Sequence, residues 1–467
     1  MVGPTRAGVL AGALVLALTA AAIAPLAGAT AQAQQTVVAG YFASWDIYGR
    51  NYHPKDIPAD KVTHLNYAFG AETKDGLCVP ADPWADFQRP YPAEESVDGI
   101  ADNTADPNQH LFGNFNQLRK LKAAHPDLKI LISVGGWTLS KYFSDVALTP
   151  ESRAKFAKSC IDTFIKGDLP TGGWPDQAGG PGAAAGLFDG IDIDWEYPVC
   201  CGNDGNVNRP EDRRNATLLF QELRRQLDEL GHQTHRDYLL TAALPAGNVR
   251  SVGSFELANV AKILDWINLL TYDFHGPWDP WTNFNSPYSV DPADPTPADV
   301  RPFFNTVGTV QFYLSQGVAA NKLVVGIPFY ARQYIRVPHD NAGLYQPFDN
   351  TGLDPNVLQW DVTPTPTYHD LVDLAQIVTT GPNPQGLNGF DRFFSADAGE
   401  PWLYAKKATH NLASGTIQTG TFISYDDPQS IAERIQLIHD RHLRGAWAWE
   451  ISQDDDAHDL ATALSAP

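Results

Sequence analysis

The chain has 467 residues, 43% apolar and 19% charged, the make-up of a folded globular protein rather than a disordered one. Its formal charge of -21 argues against nucleic acid or an anionic membrane as a partner, because a negative surface repels both. Twelve Trp and 11% aromatic residues are more telling, since exposed rings stack well on the apolar faces of sugars.

Residues 1–33 read as a secretory signal. Arg6 gives a positive start, an Ala/Leu/Val run extends to Ala29, and Ala31-Gln32-Ala33 offers small residues around a cleavage point. Export is the expectation, with an uncleaved membrane anchor as the alternative reading of so long an apolar run. The first strand is expected over 36–42, leading into a loop with Trp45, and the second over 62–69. Pro, Asp and Gly then dominate to about residue 112, the mark of an excursion. A helix over 115–124 and a strand over 128–137 follow. Next come a helix over 150–166 with Pro150 at its start and a Gly/Pro/Ala loop over 172–186.

The stretch 189–198, Asp-Gly-Ile-Asp-Ile-Asp-Trp-Glu-Tyr-Pro, alternates acidic and apolar residues. As a strand it places Asp192, Asp194 and Glu196 on one face, and Ile191, Ile193 and Trp195 on the other as core. Solvated strands mix in Lys, Thr or Ser. An all-acidic line points instead to buried carboxyl groups, crowded enough to keep at least one protonated near neutral pH.

Helical spacing returns over 209–230, 255–264, 302–316 and 429–442, and strands over 238–244, 266–273, 322–330 and 444–450. The alternation breaks only over 333–422, which is turn-rich and aromatic. Eight nearly continuous apolar strands alternating with helices favour a closed (β/α)8 barrel over an open doubly wound sheet. Catalytic groups in such a barrel sit at the C-terminal strand ends, here Tyr41, Phe69, Trp137, Glu196, Tyr272 with Asp273, Tyr330 and Trp449. No phosphate loop, metal-ligand spacing or Ser/His/Asp arrangement competes, and the 13 His are scattered. Of the four cysteines, Cys200 and Cys201 are adjacent. A bond between neighbours is strained, so each is expected to pair elsewhere, with Cys78 or Cys160, or to stay a thiol.

The acidic motif resembles the signature of family 18 glycoside hydrolases, the chitinases. SVGGW at Ser133 to Trp137, TYDFHG at Thr271 to Gly276 and AWAWEI ending at Ile451 agree with it in order. The resemblance implies a (β/α)8 TIM barrel over 34–332 and 423–467, with a small α+β insertion at 333–422 between strands 7 and 8. By resemblance, Glu196 is the general acid, Asp194 orients the substrate's N-acetyl group and exchanges a proton with Asp192, and Tyr272 supports the acetamido group beside Asp273. Trp449 would floor the subsite where the sugar distorts. Tyr41, Trp45, Phe69, Trp137, Trp278, Arg332 and Trp360 would line the cleft.

The family's reaction uses the substrate's acetamido oxygen as nucleophile, with retention and a negative Asp194 offsetting the developing positive charge. Chitin and chito-oligosaccharides are then the expected partners of a secreted monomer, without cofactor or metal and off the membrane after signal cleavage. Two alternatives stand beside this reading: an endo-β-N-acetylglucosaminidase acting on N-glycans, and a catalytically inactive chitin-binding lectin on the same fold. Leu270 replaces the Met of many members, and the loop 199–208 carries cysteines where a glycine-rich turn is usual. No appended carbohydrate-binding module is read in the sequence.

Overall fold

The computed structural model describes residues 1–3, 36–381, 383–411 and 417–466, so nearly all of the expected signal peptide lies outside the described residues. Eight parallel strands form the frame: β1 Val37–Ala43, β2 His64–Glu72, β3 Lys129–Gly135, β4 Gly190–Asp194, β5 Leu239–Pro245, β6 Trp266–Leu270, β7 Leu323–Pro328 and β8 Gly445–Trp449. Each pairs with its neighbours in sequence order, and β1 pairs with both β2 and β8, which closes the barrel. The short strand Cys78–Pro80 folds back antiparallel on the end of β2.

The period-two alternation of each strand gives the barrel two cores. Ile130 and Ile132, Ile191 and Ile193, Leu240 and Ile267 face outward and pack with helix residues such as Phe115, Phe156, Leu219 and Leu223. Ala39 and Tyr41, Ala68, Ala243, Trp266, Val324 and Trp447 face the lumen. β4 obeys the same rule: its apolar residues join the outer core while its acids point inward. Trp195 continues the outward line, 1% exposed and stacked on Phe143 at 5.4 Å.

The helices begin and end where local chemistry dictates. Thr149 accepts from Ser152 N–H ahead of Pro150–Cys160, and Asp427 accepts from Gln429 and Ser430 N–H ahead of Pro428–Arg441; both helices open on Pro. The helix Asp212–Thr234 buries Leu219, Phe220, Leu223, Leu227 and Leu230 at helical spacing. The segment expected as a helix over 255–264 keeps only one helical turn, Leu257–Val260.

Between β7 and β8 lies a four-stranded antiparallel sheet. Its spatial order is Asp391–Ser395, Glu400–Asn411, Ile417–Ser424 and Arg332–Tyr334, with a single helical turn at Asp370–Leu374. It has its own core of Phe284, Tyr334, Leu344, Trp402 and Phe422. The fully buried Arg434 of the last long helix pairs with Glu400 and Asp426, and its guanidinium also donates to the carbonyl of Ser286.

The cysteines depart from expectation. Cys78 bonds Cys160, with Cα atoms 4.9 Å apart, and Cys200 bonds its neighbour Cys201. Cys78 and Cys160 are both buried on adjoining elements and satisfy each other, whereas Cys200 and Cys201 lie exposed in the loop after β4.

Candidate active site

Asp192 is fully buried in the lumen and accepts four hydrogen bonds. Tyr41 Oη (2.6 Å) and Ser133 Oγ (2.8 Å) donate to Oδ2; Thr241 Oγ1 (2.5 Å) and Asn268 Nδ2 (3.2 Å) donate to Oδ1. Sheet register explains this convergence, since Ser133 on β3 and Thr241 on β5 are the direct lateral partners of Asp192. Trp266 Nε1 donates to Asn268 Oδ1 at 3.0 Å, which turns the amide so that its nitrogen faces the acid. Burial raises the proton affinity of Asp192 and the four donors pull it back. Each carboxylate oxygen already holds two donors, which leaves no site for a proton unless a hydroxyl turns.

Asp194 is in the opposite position. It is 4% exposed, and its Oδ1 is buried without a hydrogen-bond partner. Burial, then the charges of Glu196 and Asp192, push its proton affinity well above the usual carboxylate value, which favours the protonated form. Leaving an unpartnered carboxylate there would cost several kcal/mol, which protonation avoids.

β4 ends at Asp194, so Glu196 lies beyond the sheet and is half-buried. Burial raises its pKa to about 7; the Tyr197 hydroxyl opposes this, Asp273 adds to it, and Arg250 counters it weakly. The SVGGW segment makes room for this turn. Gly135 and Gly136 both adopt positive φ, a Cβ on Gly135 would lie 2.2 Å from the Asp194 carbonyl, and Gly136 N–H bonds that carbonyl at 2.7 Å.

The aromatic residues divide by depth. Trp449 is half-buried and stacks on Phe69 (5.8 Å, 19°), which neighbours the exposed Trp45 (6.0 Å). Tyr41, expected to line a subsite, is fully buried beneath Trp449 and serves Asp192 instead. Tyr272 is half-buried, edge-on to Trp447 and Tyr330, and burial keeps its hydroxyl protonated. Asp273 accepts from Tyr330 Oη at 2.7 Å and from Arg332, whose guanidinium lies over the exposed Trp278 ring at 5.1 Å. Trp137 is exposed on the loop after β3, and Trp360 is half-buried in the insertion with its carbonyl accepting from Gln333 Nε2.

The sequence reading missed Ser133, Thr241, Asn268 and Tyr197. A signal existed for the first three: each is a lone polar residue inside an otherwise apolar strand, where burial demands a partner. Among the described residues, one group of metal-type donors, His369, Asp373 and Asp456, has its ligand atoms within 4.8 Å of one another and includes none of these acids.

Fold and site together define a parallel (β/α)8 barrel carrying a row of carboxyl groups and an aromatic floor at its C-terminal mouth. The chain belongs to the glycosyl hydrolases family 18, whose sequence profile matches residues 37–454. It is 36% identical to chitinase A1 of Niallia circulans over 91% of the chain and 58% of that protein. It is 34% identical to chitinase C of Streptomyces lividans over 89% and 57%. The chain thus spans under two thirds of the length of these curated relatives. Among solved structures it resembles the catalytic domain of the psychrophilic chitinase B from Arthrobacter TAD20, with a TM-score of 0.78 and 32% identity over 93% of this chain and 95% of that one.

Proposed function

We propose that this protein is a secreted, monomeric chitinase that hydrolyses β-1,4 bonds between N-acetylglucosamine units with retention. The observation that carries the reading is the contrast within one acid row: Glu196 stands half-buried at the barrel mouth with burial pushing its pKa up to about 7, while Asp194 beside it is buried with no donor on its Oδ1. A general acid needs a proton affinity near the working pH. Glu196 protonates the glycosidic oxygen, and the bond breaks as the substrate's acetamido oxygen attacks the anomeric carbon. Tyr272 fixes the acetamido group for that attack.

Asp194 passes its proton to Asp192 as positive charge develops and becomes the anion that offsets it. One of the hydroxyls of Tyr41, Ser133 or Thr241 must then rotate from donor to acceptor, which a hydroxyl does without moving its oxygen. Glu196, now ionised, takes a proton from the water that opens the intermediate. The relatives, chitinase A1 and chitinase C, support the same substrate, and the run of small apolar residues before residue 33 supports export.

A time course of products from a chitin hexamer, with anomer analysis, tests the reaction. Initial β-anomers are expected, and initial α-anomers rule out retention. Release of glycans from a glycoprotein without cleavage of colloidal chitin would assign the N-glycan reading instead. Binding of chitin with no turnover would leave a lectin. Recovery from culture medium of a chain starting near residue 34 tests export.

A further inference from the structure

Glu196 lies past the end of β4, where no sheet hydrogen bond fixes its main chain. Two side chains do so instead. Its N–H donates to Ser140 Oγ at 2.9 Å, and its carbonyl accepts from Asn206 Nδ2 at 3.0 Å. Ser140 is fully buried and belongs to the loop after β3, its hydroxyl also within reach of the carbonyls of Gly136 and Asp194. Asn206 belongs to the loop 199–208, which opens with the Cys200–Cys201 disulfide.

That loop is built against the acid's backbone. Gly202 passes so close that a Cβ there would lie 2.0 Å from the Glu196 carbonyl oxygen and 2.7 Å from Asn206 Nδ2. Arg209 N–H (2.7 Å) and Val199 N–H (3.4 Å) both reach Asp212 Oδ2, which draws the two feet of the loop together. Val207 N–H bonds the carbonyl of Lys141 at 3.0 Å, so the loop is tied to the segment that carries Ser140. The disulfide fixes the backbone locally at Cys200 and Cys201, within the stretch that joins the acid to Asn206.

We propose that Asn206, presented by this cross-linked loop, is a positioning residue for the general acid. It holds the Glu196 carbonyl against rotation and so fixes where the carboxyl group can reach. The inference rests on Glu196 being the acid, as proposed above. Asn206 is only half-buried, so water replaces its hydrogen bond when the side chain is removed and the fold persists. The acid's aim is then lost, and small misplacements of a catalytic group cost large factors in rate.

The test compares the wild type with N206A, N206L, G202A and the double variant C200S/C201S on a chromogenic chitobioside. N206L keeps the bulk and loses the donor; G202A drives a methyl group into the Glu196–Asn206 contact. The expected result is a fall in kcat of about tenfold or more in N206A, N206L and G202A. KM should stay within about twofold, the melting temperature of N206A and N206L should be unchanged, and the alkaline limb of the kcat/KM profile should move. C200S/C201S should fall in the same direction by less. Wild-type kcat in N206A and N206L overturns the proposal, as does a loss of kcat matched by an equal loss of folded protein. A wild type without turnover would sink the proposed function first and this inference with it.

Discussion

Asp192 and Glu196 stand four residues apart on one acidic line, yet the barrel treats them oppositely. Asp192 lies in the lumen, both oxygens saturated by donors from four different strands. Glu196 lies at the mouth with its main chain held and its carboxyl group left at a proton affinity near 7. Burial raises proton affinity in both, so burial alone does not make an acid usable. What separates them is the number of fixed donors aimed at the carboxyl group: Asp192, with four, takes a proton only when one of its hydroxyl donors turns, and Glu196, with few, exchanges its proton directly. Asp194, between them, has burial without donors and so keeps its proton.

The largest effect expected from this contrast is at the mouth. E196Q should lower kcat on colloidal chitin by about a thousandfold, within the range of general acid catalysis, while oligosaccharide affinity measured by calorimetry and the melting temperature barely change. The lumen should answer in the other measurement. D192N replaces the charged acceptor of four donors by a neutral amide, one of whose ends must be met by a hydroxyl turned to accept, and should cost about 2–3 kcal/mol in denaturant unfolding. A D192N protein as stable as the wild type would erase the distinction. Y41F removes one of the four donors and should cost about 1 kcal/mol.

The smallest effects concern pH. Glu196 must carry its proton to act, so kcat/KM should hold on the acid side and fall as pH rises through about 7. The negative charge of Asp273 raises that affinity and the positive charge of Arg250 lowers it. D273N should therefore move the alkaline limb to lower pH and R250A to higher pH. Movement of both in one direction would show that the limb belongs to another group.

Much of this was legible in the residues. Apolar strands alternating with helices led to the closed barrel, and the period-two acid line placed Asp192 and Asp194 in the lumen with Ile191, Ile193 and Trp195 outside. What stayed hidden depends on register and depth. Periodicity says that Ser133, Thr241 and Asn268 face inward, but only strand register sets Ser133 and Thr241 beside Asp192. Tyr41 and Trp449 look alike as aromatic residues near strand ends, yet one lies wholly beneath the other. The cysteine partners were closed to the sequence because a separation of 82 positions between Cys78 and Cys160 says nothing about their meeting.

That long-range bridge makes the compartment of synthesis a determinant of shelf life. Closing a loop of 82 residues removes about 4 kcal/mol of unfolded-chain entropy, a large share of a typical folding free energy. The adjacent pair Cys200–Cys201 closes almost no loop and confers no comparable gain. Chain made in a reducing cytosol and chain made in an oxidising compartment are thus, by this count, two preparations of one sequence with different half-lives on warming.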